Sequence, residues 1–201
     1  MKVAFRQQAS NYDCVPTTFM NALTYLFDRR EIPPFVIQRI YRECLDVEAS
    51  RGTSGQAVRD LGFWLNNYKE KSFSKFAVES KFITGEQVHL RQRSRILRCL
   101  NDDGTALLSV YAGDQSLHYI LAFKCEDGWM YCYDPYPRAK KLVVNESVQF
   151  IDSNGQQEPN LKIRCDWIDK DMKKAKKPDD RKFILGGNDD RECLLLNRLD
   201  V

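Results

Sequence analysis

Histidine is nearly missing from this chain: His89 and His118 are the only two in 201 residues. Any chemistry that needs an imidazole therefore has two candidates, and no Cys-x-x-Cys pair is present to replace histidine in a zinc site. No metal and no cofactor are expected. The seven cysteines are odd in number and lack the crowding of a small disulfide scaffold, so reduced thiols and a cytoplasmic location are expected. Long apolar runs are absent too, so neither a secretory signal at the start nor a membrane-inserted helix is expected. Charge of one sign is not in excess: thirty-one basic and twenty-eight acidic residues leave a formal +3. The basic cluster Arg91, Arg93, Arg95 and Arg98 lacks the interleaved aromatics that base stacking needs, so no nucleic-acid partner is expected. There is no internal repeat.

What is present is ordinary globular usage, with 43% hydrophobic and 29% charged residues, enough for a single domain spanning 1–201 with a real core. Lys2 to Arg6 alternates weakly and is expected to form a short strand. Behind the polar, turn-like stretch Gln8 to Asp13, the residues Phe19, Met20, Leu23, Leu26 and Phe27 recur at helical spacing. They predict a helix from about Cys14 to Phe27, with Pro16 early, where a missing donor is harmless. Pro33 and Pro34 break it, and Phe35, Ile37, Ile40 and Tyr41 begin a second helix running to about Cys44. After a loop at Ser50 to Gly55, the positions Val58, Leu61, Trp64, Leu65 and Tyr68 mark a third.

Phe76 to Phe82 reads as a strand and Val88 to Leu100 as a helix that Asp102-Asp103-Gly104 stops. The period then changes. Ala106 to Tyr111, Leu117 to Lys124 and Trp129 to Tyr133 are expected as consecutive antiparallel strands, with more at Val143 to Val144, Val148 to Ile151, Leu161 to Ile163 and Cys193 to Leu196. Lys170 to Lys182 packs lysines and aspartates around Pro178 and reads as a solvated surface loop. Helices first and sheet second predict an α+β layering.

Cys14 stands at the start of the first expected helix, where the helix dipole and unpaired amides favour a thiolate. The other six cysteines fall within helix or strand patterns, or far from a helix start, and read as packing residues. A nucleophilic cysteine needs a base. His118 opens an apolar strand, whereas His89 lies beside charged residues on an expected exposed helix, so His118 is the better candidate. A three-residue hairpin loop Glu126-Asp127-Gly128 would pair Cys125 with Trp129 and Ile120 with Asp134, leaving Asp134 diagonal to His118 on one sheet face. A two-residue Asp-Gly turn would instead put Asp134 on the opposite face.

These residues resemble the bacteriocin-processing peptidases, papain-like cysteine peptidases that cut after a double glycine in leader peptides. Gln8, then Asp13-Cys14, a proline and an apolar helix match the opening of that family; Leu117-His118-Tyr119-Ile120 and Tyr133-Asp134-Pro135 match its second block. The resemblance covers about residues 5–137 and is weak between the blocks. It implies a papain-like α+β fold and a cysteine hydrolase acting on a peptide or protein substrate through a thioester acyl-enzyme. It also implies roles: Cys14 attacks, His118 moves the proton, Asp134 orients the imidazole, and Gln8 with the Cys14 amide holds the oxyanion. Acyl transfer or deamidation on the same scaffold is an alternative, as is a non-catalytic binding module. Two features depart from the family: Val15 stands where glycine usually follows the cysteine, and the family's domains are commonly fused to membrane transporters, whereas no membrane segment is expected here and a stand-alone relative is. About sixty residues follow the Asp-Pro pair. Those residues are expected to add strands and a loop that complete or cover the sheet.

Overall fold

A computed structural model describes residues 2–47, 52–112, 117–137, 145–153, 156–172 and 181–200. The apolar repeat after Asp13 folds as helix α1, Cys14–Leu26, and every residue of it except Tyr25 is buried. A helix enclosed on all sides must satisfy its own polar side chains. Thr18 accordingly donates to the Tyr119 carbonyl at 3.1 Å, and Asn21 exchanges two hydrogen bonds of 2.8 and 2.9 Å with the Arg6 backbone. Pro33 and Pro34 start helix α2, Pro34–Glu43, with Pro34 at its first position. Helix α3, Gly55–Asn67, is capped by Ser54, which accepts from the Ala57 amide.

Strand β1 is Val78–Thr84, and helix α4 is Arg95–Asn101. Strands β2, Thr105–Tyr111, β3, Leu117–Glu126, and β4, Trp129–Tyr133, follow. Then come β5, Val148–Phe150, β6, Leu161–Arg164, the one-turn helix α5, Cys165–Ile168, and β7, Glu192–Arg198. All seven strands join one antiparallel sheet in the order β1-β7-β2-β3-β4-β6-β5. The last strand therefore sits between the first two. The architecture is α+β, as the order of elements in the sequence implies.

Alternation along the strands splits the core into two layers. Tyr119, Leu121 and Phe123 of β3 join α1, α2 and α3 on one face, while Ile120 and Ala122 join α4 and the 183–185 segment on the other. β2 is buried at every position because it lies under both layers.

Two expected elements differ. Lys2 to Arg6 makes no strand ladder, because its backbone is bonded elsewhere: Arg6 to the Asn21 amide, Val3 O to Gln157 Nε2, and Phe5 N to Gln156 O. The helix expected over Val88 to Leu100 begins only at Arg95. Arg93 has φ of 63°, and Ser94 caps the helix at the Leu97 amide, so its apolar periodicity ran across a loop. His89 consequently lies on that loop, where its Nδ1 accepts from the Arg91 amide. The strand expected at Val143–Val144 lies outside the described residues, as does most of the loop expected over Lys170 to Lys182. No helix among the described residues is long and apolar enough to cross a membrane.

Candidate active site

Cys14 is the first residue of α1 and is 9% exposed. At the first two helical positions the amides of Cys14 and Val15 have no intrahelical acceptor, and Pro16 has no N–H at all. The N-cap, Asp13, turns its side chain backwards. It accepts from the Ala9 amide at 2.9 Å and from the Ser10 amide and hydroxyl at 2.7 and 2.6 Å. That folds Ala9–Tyr12 into a tight bend, and it leaves the donors at the helix start without a side-chain cap. Val15 is 1% exposed and packs within the core beneath the helix, so its bulk is absorbed there.

The hairpin between β3 and β4 decides the geometry of the other two residues. Its loop is the two-residue Asp127–Gly128 turn and not the three-residue loop, with Glu126 paired to Trp129. Asp127 and Gly128 both have positive φ, 51° and 76°, the backbone that matches the twist of the flanking strands. Taken alone, that turn would carry Asp134 to the wrong face. A β-bulge cancels the error: Lys124 pairs with Tyr131, but Ala122 pairs with Cys132, leaving Phe123 as the extra residue. Beyond the bulge Leu121 faces Tyr133, which is the register the longer loop would have given. His118 and Asp134 therefore share a face.

His118 Nε2 lies 2.6 Å from Asp134 Oδ1, and both residues are buried. Cys14 is the other side chain whose hydrogen bonding acts on the His118 ring. Thr18, one turn along from Cys14, binds the carbonyl of the residue after His118 and so fixes α1 against the strand. Burial alone would push the His118 pKa down. The hydrogen bonds to Asp134 and Cys14 outweigh it and raise the value to about 9, so the ring is held as imidazolium at neutral pH. The Tyr136 ring stands edge-on to His118, with centroids 6.4 Å apart.

Gln8 is buried, whereas Gln7 is exposed, which separates the two neighbours. The Gln8 amide N–H donates to the Pro135 carbonyl, tying it to the residue after Asp134. Its Nε2 donates one hydrogen to Ser10 O at 2.6 Å, and Oε1 is buried with no partner. The second Nε2 hydrogen is left for another acceptor.

Sequence reasoning missed two groups here. Asn160 clamps the Asp134 backbone, accepting from its amide at 2.7 Å and donating to its carbonyl at 2.8 Å. Nothing in its polar surroundings singled it out. Tyr119 and Glu192 are the second group. The phenol of Tyr119 crosses to β7 and donates to Glu192. Burial raises the Glu192 pKa, opposed by that hydrogen bond. The carboxylate presses on Gly55, where a Cβ would collide with it.

Four of the other cysteines are packing residues, as expected. Burial pushes Cys44 up to about 12 and Cys99 up to about 11, and drives Cys132 and Cys193 well above the ordinary range. Cys125 and Cys165 differ: they are half-buried, and their sulfurs lie 3.5 Å apart. No protein-family model matches the chain, and no curated protein matches it.

Proposed function

We propose that this chain is a papain-like cysteine hydrolase that cleaves a peptide or amide bond through a thioester on Cys14, related to the bacteriocin-processing peptidases. One observation carries the reading: a helix-start thiol and a carboxylate act on one buried histidine, the carboxylate 2.6 Å from its Nε2. In such an arrangement the proton of the Cys14 thiol rests on the His118 ring and the sulfur attacks the substrate carbonyl. The Cys14 amide and the second Nε2 hydrogen of Gln8 are the donors for the oxyanion that forms. His118 returns the proton to the leaving amine, and Asp134 keeps the ring in the orientation that makes both transfers possible.

The assignment is tested by Cys14 alkylation with iodoacetamide at neutral pH, followed by a peptidyl thiol-reactive probe. Selective modification of Cys14 that falls at least tenfold in His118→Ala supports a thiol enzyme. A thiol no more reactive than free cysteine marks a binding module on the same scaffold. Product analysis of a turned-over peptide then separates hydrolysis from transfer to an amine and from deamidation.

A further inference from the structure

We propose that Cys125 and Cys165 are a thiol modification site, separate from Cys14, that closes to a reversible disulfide by exchange with a low-molecular-weight disulfide such as oxidised glutathione. The two residues are 40 apart in sequence, yet their sulfurs are 3.5 Å apart. A disulfide bond is about 2.05 Å long, so the sulfurs need to approach by roughly 1.5 Å. Both residues are half-buried, which leaves a path for a small oxidant.

The bulge at Phe123 is what brings them together. Under unbroken alternation Cys125 would continue the series Tyr119, Leu121, Phe123 beneath α1. The extra residue moves it to the opposite face, opposite Met130, among the residues packed with Cys165. Cys165 in turn is anchored to the same hairpin, since its amide donates to the Gly128 carbonyl at 2.9 Å. One irregularity thus both aligns His118 with Asp134 and turns Cys125 toward Cys165.

The two thiols are unequal. The hydrogen bond with Cys165 lowers the Cys125 pKa to about 7 against the effect of burial, and the same bond together with burial raises Cys165. In the proposed exchange Cys125 is the attacking thiolate. It displaces one glutathione thiolate and becomes a mixed disulfide, and its own proton ends on that thiolate. Cys165 then loses its proton, attacks Cys125 Sγ and releases the second glutathione. Two protein thiols become one disulfide while one oxidised glutathione becomes two thiols. Cys132 lies near the pair but is fully buried and stays reduced.

The test uses the full chain carrying Cys14→Ser, so that the candidate nucleophile does not compete. It is equilibrated at neutral pH in glutathione buffers of increasing oxidised fraction, quenched in acid, denatured, alkylated and mapped by peptide mass. The expected result is a Cys125–Cys165 linkage that dithiothreitol reverses, with Cys44, Cys99, Cys132 and Cys193 alkylated. Adding Cys165→Ser should convert Cys125 to a mixed disulfide with glutathione. The linked protein should also unfold at higher urea concentration than the reduced one. Full alkylation of both thiols in oxidised glutathione alone, or separate glutathione adducts on each in the parent chain, overturns the proposal. Since the parent chain alone gives a decisive map, a poorly folding double variant leaves the result intact.

Discussion

A thiol at a helix start contributes little packing volume, so Cys14→Ala should keep the far-ultraviolet dichroism of the parent chain while abolishing turnover and probe labelling; unfolding of the variant would make Cys14 structural. Gln8 is buried and tied to Pro135, beside Asp134, whereas Gln7 is exposed. Gln8→Ala should slow the reaction about 100-fold or more, the usual effect of deleting an oxyanion donor, and an unchanged rate would assign that role to backbone alone. The raised pKa of His118 also has a sign. Its folded value of about 9 lies above the ordinary 6.5, so the stabilisation from pairing is complete below about 6.5 and is lost as pH rises through about 9. Asp134→Asn removes the largest of the contacts that raise that value. The gap in urea midpoint between parent and Asp134→Asn should therefore shrink as pH rises across that window, and the variant should lose turnover while keeping its fold. A gap independent of pH would detach the stabilisation from the imidazolium.

At the scale of elements, the β3–β4 hairpin is where two local features act against each other. The tight turn sets one register, and the bulge at Phe123 sets it back by one residue. Deleting Phe123 should leave the Asp127–Gly128 turn in place and let alternation run unbroken through β3, which removes His118 from the Asp134 face. The measurement is Cys14 alkylation together with the proton resonance of the histidine N–H hydrogen-bonded to Asp134. Both signals should vanish, and their persistence would show that the register is fixed by something other than the bulge.

For the molecule as a whole, the closing segment is part of the frame. β7 lies between β1 and β2, and just before it Arg191 is buried in a set of acceptors: Asp169 Oδ1 at 2.6 Å and the carbonyls of Gly186, Val88, Asp169 and Lys170. This guanidinium joins the loop before α4, the end of α5 and the entry to β7. Arg191→Met removes the charge and strands the Asp169 carboxylate at low exposure. That should lower the unfolding free energy by about 3–5 kcal/mol in urea titration. A loss under about 1 kcal/mol would place Arg191 among ordinary surface pairs.

Much of this arrangement is written locally. The α1 boundary, the proline break and most strands follow from apolar spacing and from proline and glycine, which act over a few residues whatever the rest of the chain does. The scarcity of histidine narrowed the base to His118 against His89, and the helix start singled out Cys14. What required the tertiary structure was anything set by distant partners. The segment before Gln8 reads as a strand until Asn21 and Gln157 take its backbone groups. Asn160 gains a role only because β6 lies next to β4. The turn alone would have placed Asp134 on the opposite face, since a bulge is one surplus residue in a ladder and exists only once both strands are paired. Glu192 reaches Tyr119 for a similar reason: β7 enters the sheet between β1 and β2, an outcome of competition among whole strands that no local pattern encodes.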